Sequence, residues 1–484
     1  MTTGLHDTIC AVATPVGEGG IGILRISGEK ALDTASPLLR LRCGHPLAAL
    51  QSHRLYYADI LRPSLQPSAP GLPHDAARAK ETMAGALDEA LVVVMRAPHS
   101  YTGETVVEIH CHGSPLVLHL LSEAIVQAGA RLADPGEFTK RAFLNGRLDL
   151  AQAEAVLDTI RAKTASSLRL AQEQLRGTLS TEVNSFRESL LRLLAHVEAA
   201  IDFTDEDITF IQAEELESTI RQTKAEITAL AESSREGRVL REGVMTVIVG
   251  RPNVGKSSLL NALVRTDRAI VTAVPGTTRD VLEEVLNMRG VPLRLLDTAG
   301  LRHSNDHVEQ EGVRRSRSAM EQADLLLIVL DGSVPICEED RQLLNEHPEK
   351  KRLVVINKSD LPCVMDASDL ASSLEQTCSS PVVRISARHG QGLDELRDGI
   401  RTLLLRADFE ATEGAVVTHL RHQTALLRAR ESLAGAEHSV TKGLSGEFVA
   451  MDLRGAIDAL GEITGAVSTD DILDRIFRDF CIGK

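Results

Sequence analysis

Tryptophan is absent from this 484-residue chain, and only three tyrosines and nine phenylalanines are present. Lysine and arginine number 53 against 68 aspartates and glutamates, a formal net charge of −15. Phosphate backbones require cations and unstacked bases require aromatic faces, so diffuse RNA binding over a broad positive surface is excluded. Any RNA contact must be local or shared with a partner. Also missing are an apolar run of membrane length and a charged-then-apolar leader, so a cytoplasmic protein with no membrane segment is expected. Seven cysteines, an odd number at scattered spacing, fit a reducing compartment better than a disulfide framework. What is there, 43% apolar residues, is enough for several ordinary cores, and the length predicts three domains.

The densest information lies between Gly250 and Asp360. The run Gly250-Arg251-Pro252-Asn253-Val254-Gly255-Lys256-Ser257-Ser258 follows an apolar stretch, Val244 to Val249, and precedes a leucine-rich segment with helical spacing. That order is strand, phosphate loop, helix. Glycines let backbone N–H groups wrap a triphosphate at a helix N-terminus, Lys256 places a charge on the β and γ phosphates, and the Ser257 hydroxyl is positioned for Mg²⁺. Asp297-Thr298-Ala299-Gly300 ends a predicted strand from Val291 to Leu296, where a carboxylate holds Mg²⁺ through water and a glycine N–H meets the γ phosphate.

Asn357-Lys358-Ser359-Asp360 ends the predicted strand Leu353 to Ile356. Its aspartate accepts both the N1 and N2 hydrogens of guanine, a pair adenine lacks, which selects GTP. Ser386-Ala387, after Val382 to Ile385, supplies a backbone contact to the base oxygen. Each motif alone is an ordinary turn, but four in order, each in the context its mechanism needs, are not.

Catalysis departs from the small signalling GTPases. The position after Gly300, where a glutamine would orient the attacking water, is Leu301, which cannot hydrogen-bond it. The segment also offers no arginine finger, so charge developing on the β–γ oxygen needs another cation. The Asn253 carboxamide, with carbonyls from Thr272-Ala273-Val274-Pro275-Gly276-Thr277-Thr278-Arg279-Asp280, is placed to hold a monovalent ion there; the alternative is that Asn253 only stabilises its loop as an Asx turn.

The N-terminal region reads as β-rich. Val106 to His112 alternates, setting Glu108, His110 and His112 on one face of a strand and Val107, Ile109 and Cys111 on the other. Without a Cys-x-x-Cys partner this is an ordinary half-buried strand rather than a zinc site. A stripe of Leu157, Ile160, Thr164, Leu168, Ala171 and Leu175 predicts a helix, similar stripes run to about residue 240 and return after about 415, and the two sets are expected to pack across the inserted nucleotide domain. Ser468-Thr469-Asp470-Asp471 reads as the N-cap of a last helix whose apolar face includes Ile476, Phe477 and Phe480. Leu61 to Ala86, rich in Pro, Ala and Ser, predicts a loose surface loop.

These motifs resemble the TrmE/Era class of GTPases. Gly19 to Gly28, Ser100-Tyr101-Thr102-Gly103-Glu104, Pro135 to Gly146 and the final Phe480-Cys481-Ile482-Gly483-Lys484 narrow the resemblance to the MnmE (TrmE) family of tRNA-modification GTPases, over nearly the whole chain. The resemblance implies a multidomain α/β and α+β protein: a β-rich folate-binding and dimerisation domain over 1–145, a helical domain over 146–243 and 406–484, and between them a Ras-like P-loop GTPase domain over 244–405.

It further implies K⁺ at Asn253, Thr272, Val274 and Thr277, Mg²⁺ at Ser257 and Thr278, and a catalytic glutamate at Glu309, whose residue-level alternative is a carboxylate favoured at a helix start. His303 departs from the acidic residue often found there. Formyl- or methylene-tetrahydrofolate is implied at Arg25, Glu108, Arg147 and Lys484, groups whose charges suit a folate glutamate tail and an amino-pyrimidine edge. Arg147 stands where some relatives carry lysine. Cys481 is either a small buried apolar group or a nucleophile beside that site. The implied activity is GTP hydrolysis in the modification of carbon five of the tRNA wobble uridine, by a homodimer joined to an FAD-dependent MnmG-type protein in a heterotetramer. Arg314-Arg315-Ser316-Arg317 is a candidate RNA contact or simply a solvated helix face. Two other readings compete: an Era-like ribosome-assembly GTPase, opposed by the absence of a basic C-terminal domain, and a nucleotide-gated scaffold without one-carbon chemistry.

Overall fold

The computed structural model describes residues 7–15, 17–61, 85–202, 213–269, 284–296, 318–366, 370, 380–406, 414–467 and 469–484. They form two compact units, one built from the chain up to Glu154 together with Val467–Lys484, the other running from Ala155 to Ala466.

The first unit is a seven-stranded sheet of order β3-β4-β5-β6-β2-β1-β7. Its strands are β1 (Ile9–Val12), β2 (Gly19–Ser27), β3 (Leu39–Leu41), β4 (Leu55–Leu61), β5 (Ala86–Met95), β6 (Val106–Gly113) and β7 (Arg131–Leu132). All neighbours are antiparallel except β1 and β7. Alternation decides the two faces. Leu24, Ile26, Val92, Val94, Val107 and Ile109 point into one core with Leu118, Leu121 and Ile125 of helix α1 (Pro115–Gln127). Residues of opposite parity, Arg25, Glu108 and His110, look the other way, toward α2 (Glu137–Leu144), whose Phe138 is fully buried with Ile9 and Ala11. A side chain of that kind contributes about 2 kcal/mol by leaving water. The C-terminal helix Asp470–Arg478 docks on α2 through the buried face Leu473, Phe477 and Phe480, with Ile476 half-buried. Thr469 is its N-cap; Ser468 lies outside the described residues, as does most of the predicted 61–86 loop.

The second unit opens with helices α3 (Leu150–Arg161, entered from the first unit), α4 (Ala165–Leu175), α5 (Thr178–Asp202), α6 (Ala213–Glu232) and α7 (Ser234–Glu242). The stripe through Leu157 and Leu175 is not one helix, which corrects the sequence expectation. Thr164 breaks it: the threonine is extended, its Oγ1 accepts from Ser167 N at 3.1 Å as an N-cap, and it donates to Gly290 O at 2.8 Å. A short hydroxyl side chain satisfies the start of a new helix better than the middle of an old one. Ile160 and Leu168 are consequently 47% and 38% exposed, while Leu157 and Ala171 are buried.

The nucleotide fold follows: β8 (Val244–Val249), α8 (Lys256–Asp267), β9 (Glu284–Met288), β10 (Val291–Leu295), β11 (Leu325–Asp331), α9 (Glu338–Asn345), β12 (Lys351–Asn357), β13 (Val382–Arg384) and α10 (Leu393–Leu404). The sheet order is β13-β12-β11-β8-β10-β9, parallel throughout except for the β9–β10 hairpin. Every residue of β11 is buried because both faces are covered: Leu325, Leu327 and Val329 enter one core and Leu326, Ile328 and Leu330 the other. The chain then returns to helices, α11 (Leu420–Thr441) packing on α6 and α12 (Gly446–Thr464), and α12 on α5, so the halves predicted on either side of the insertion do meet. The parallel strands β8, β12 and β13 therefore present the loops 250–256, 357–360 and 386–391 at their C-terminal ends, where doubly wound sheets bind ligands.

Candidate functional site

The phosphate loop leaves β8 at Gly250 and enters α8 at Lys256. Gly255, at φ 101°, caps the helix, and a Cβ there would lie 2.1 Å from Asn357 Nδ2; no other residue fits. Asn253 holds φ 64°, a left-handed geometry asparagine tolerates, and it is exposed with Ser257 and Ser258, while Val254 is buried. Lys256 Nζ donates to Gly250 O and Arg251 O, both at 2.7 Å. Burial pulls its pKa down from the ordinary lysine value. An ammonium has three protons, so two are spent on the loop and one is left to face a phosphate. The first turn of α8 adds backbone N–H groups and a positive dipole end, the local requirement for an anion.

The base-reading loops are tied to this one. Asn357, 3% exposed, donates from Nδ2 to Val254 O at 2.8 Å and accepts at Oδ1 from Ala387 N at 3.0 Å. Lys358, also left-handed at φ 65°, donates to Asp331 Oδ2 at 2.5 Å, and Ser359 N donates to Ile385 O at 3.0 Å. Ser386 Oγ donates to Asp360 Oδ1 at 2.6 Å, the main cause of an Asp360 pKa below the usual carboxylate range. Asp360 is thus held ionised and remains a hydrogen-bond acceptor, with its other oxygen 3.8 Å from His389 Nε2. Val254 on one side and Asn357 and Ala387 on the other are therefore joined directly, with Ser359 tied to Ile385 and Asp360 to Ser386 beside them.

Three residues of this site escaped the sequence reading. Arg251 was an unremarked loop position, and its partner Asp340 and the Lys358 acceptor Asp331 lie on other elements. Asp331, the one polar residue at the end of the otherwise apolar strand β11, carries the local signal. The expectations at Thr272, Ala273, Val274, Pro275, Gly276, Thr277, Thr278, Asp297, Thr298, Ala299, Gly300, Leu301, His303, Glu309 and Arg314–Arg317 lie outside the described residues.

The first unit holds a second cluster. Register places Arg25 directly opposite Glu108 across β2 and β6, and Arg25 Nε donates to Glu108 Oε1 at 2.8 Å. Its Nη1 reaches Gly483 O at 3.2 Å, and the guanidinium lies over the rings of Tyr101 at 5.5 Å and Phe138 at 5.6 Å. Lys484 Nζ stands 5.9 Å from the same Tyr101 ring. Burial first, then the Arg25 charge, pushes the Lys484 ammonium below the ordinary lysine range. Burial also pushes the Glu108 carboxyl up, but the His110 hydrogen bond and Arg25 outweigh it and hold it low. Arg25, Glu108 and Lys484 are therefore brought together as two cations and an acceptor beside an aromatic ring, a donor set that fits a carboxylate-bearing pterin. Arg147 is near but separate, donating from Nε to Ser100 O at 3.0 Å. Cys481 is exposed rather than buried, because the chain has left its helix: its carbonyl accepts from Gly136 N at 3.4 Å and Lys484 N at 3.3 Å, and the thiol is free to face solvent. Tyr101 and His110, the ring and the carboxylate partner, were not foreseen as members of this cluster.

A family model described as the MnmE helical domain matches residues 150–481, and one described as the GTP-binding protein TrmE N-terminus matches residues 8–147. Curated proteins described as tRNA modification GTPase MnmE are similar along their entire length. Those of Natranaerobius thermophilus and Geobacter metallireducens are 44% and 46% identical, each over 99% of this chain and 100% of its own. The protein of Heliobacterium modesticaldum is 47% identical over 99% of both.

Proposed function

The chain belongs to the MnmE family of tRNA modification GTPases, and on that premise we propose that it hydrolyses GTP as part of the modification of carbon five of the tRNA wobble uridine. The observation that carries the reading is Asn357, whose one side chain joins the phosphate loop at Val254 to the guanine-reading loop at Ala387. Lys256 and the first turn of α8 bind the phosphates, and Asp360, oriented by Ser386, reads the base.

Ser257 and Thr278 would hold Mg²⁺, which when bound neutralises the β and γ phosphates. Asn253, with Thr272, Val274 and Thr277, would hold K⁺, which supplies the positive charge an arginine finger brings elsewhere. Exposure of Asn253 at the mouth of the loop supports that assignment. Glu309 orients the attacking water in place of the missing glutamine. In the N-terminal sheet, Arg25, Glu108 and Lys484, with Arg147 nearby, take a formyl- or methylene-tetrahydrofolate, and Cys481 is the candidate nucleophile at its edge.

A homodimer, a flavin-dependent MnmG-type partner and a tRNA complete the working assembly, in the cytoplasm. The net charge of −15 supports leaving most RNA contact to that partner. Among the described residues no helix is long and apolar enough to cross a membrane. The domain limits in this reading are 1–145, 146–243, 244–405 and 406–484.

The test is steady-state GTP hydrolysis in matched KCl and NaCl. We expect a large potassium-specific acceleration, abolished in Asn253→Gly, which removes the carboxamide yet accepts φ 64° without strain, and a loss of turnover in Glu309→Ala. Equal rates in the two salts would remove the ion from the reaction and return Asn253 to a loop-stabilising role.

A further inference from the structure

Arg251 and Asp340 form an ion pair that ties the phosphate loop to a helix with no nucleotide-reading motif of its own. Arg251 Nε donates to Asp340 Oδ1 at 2.8 Å. The Asp340 side chain is 1% exposed and that of Arg251 25%. The second carboxylate oxygen, Oδ2, accepts from Cys337 N at 3.2 Å, which makes Asp340 the third residue of the capping box that starts α9. One carboxylate thus closes a helix end with one oxygen and grips the phosphate loop with the other. The bond to Asp340 is the leading reason the guanidinium holds its proton still more tightly than an ordinary arginine.

The backbone of Arg251 is part of the lysine's cradle. Lys256 Nζ donates to the carbonyls of Gly250 and Arg251, so the direction of its third proton depends on where those two oxygens stand. Gly250 is held by β8 and by its close approach to Val329 O, 2.4 Å from where a Cβ would sit. Arg251 lies one residue beyond that anchor, and its side chain is fastened to the body of the domain at Asp340. A displacement of about 1 Å at such a position is enough to cost on the order of a hundredfold in a preorganised site.

We infer that Asp340 is a positioning residue for the phosphate loop: through Arg251 it fixes the carbonyls that aim the Lys256 ammonium at the β phosphate. The inference rests on the nucleotide reading of this site given above. It separates two parts of recognition, because Asp340 acts on the phosphates beyond the first and leaves guanine reading by Asp360 and Asn357 untouched.

The experiment is a comparison of GDP and GMP affinity, by competition against a fluorescent guanine nucleotide with Mg²⁺ present, in the full chain and in Arg251→Met, Asp340→Asn and the double variant. GMP carries the base and one phosphate and has nothing at the β position. GDP affinity is expected to fall roughly tenfold in each single variant, no further in the double variant, with GMP affinity within twofold of the unaltered chain. Arg251→Met keeps the α9 cap intact, so the outcome does not depend on whether Asp340→Asn folds. Equal weakening of GDP and GMP would reduce the pair to general structural support and overturn the inference, as would unchanged GDP affinity in Arg251→Met. Failure of the unaltered chain to bind either nucleotide would instead overturn the nucleotide reading itself.

Discussion

The Asn357 side-chain amide donates to the Val254 carbonyl at 2.8 Å, and the space it occupies exists because Gly255 has no Cβ. This contact makes the end of one parallel strand a brace for the loop after another. Removing it in Asn357→Ala orphans two buried backbone groups, Val254 C=O and Ala387 N–H, each at a cost of about 1–3 kcal/mol. Both a lower melting temperature and a loss of GTP affinity greater than tenfold are expected. Calorimetric melting alongside nucleotide titration checks this, and a variant that loses neither would show that the two loops are set independently.

Guanine selection is expected to rest on the charge and acceptor character of Asp360. Its Oδ1 is engaged by Ser386, which keeps the carboxylate ionised and correctly turned. Asp360→Asn replaces one acceptor with an amide donor, so GTP binding should weaken on the order of a hundredfold, since sites built around hydrogen bonds penalise unpaired groups heavily. Xanthosine triphosphate, which presents a carbonyl where guanine presents an amino group, should gain affinity in the same variant. Competition between the two nucleotides measures the change directly, and a parallel loss of both would place base recognition elsewhere.

Folate binding should have an alkaline limit set by Lys484. Burial and the neighbouring Arg25 place the Lys484 pKa below the ordinary lysine value of 10.5. The folate carboxylates stay ionised across this range, so the attraction is present while Lys484 is protonated and is lost as pH rises through its depressed pKa. Affinity for 5-formyltetrahydrofolate is therefore expected to decline at a lower pH than an unperturbed lysine would give. Lys484→Arg should hold its affinity through the same range, because a guanidinium keeps its proton. Isothermal titration from neutral to alkaline pH tests this; no folate heat at any pH in a folded dimer would favour the scaffold reading, in which one-carbon chemistry is absent.

The phosphate loop and the guanine loop were legible because each is a contiguous run whose chemistry depends on backbone turns a few residues long. Strands β8 and β12 were equally legible, since burial on both faces of a parallel sheet leaves an apolar run. The stripe through Thr164 misled because apolar spacing records which residues are buried and does not register where a hydroxyl starts a new helix against Gly290. Cys481 misled in the opposite sense, its residue type suggesting burial while the chain end holds it outward through backbone bonds alone.

By itself, then, the sequence determined the order of the motifs, the guanine preference, the alternation that puts Glu108 on the face opposite Val107 and Ile109, and the family. Tertiary structure alone decided that Arg251 grips Asp340, that Asn357 braces Val254, and that Lys484 shares the Tyr101 ring with Arg25. Local backbone geometry is set by neighbours in the chain and so can be read from them. Pairings between distant residues depend on strand register and helix packing, in which many weak contacts throughout the domain act together, and no short stretch of sequence contains that sum.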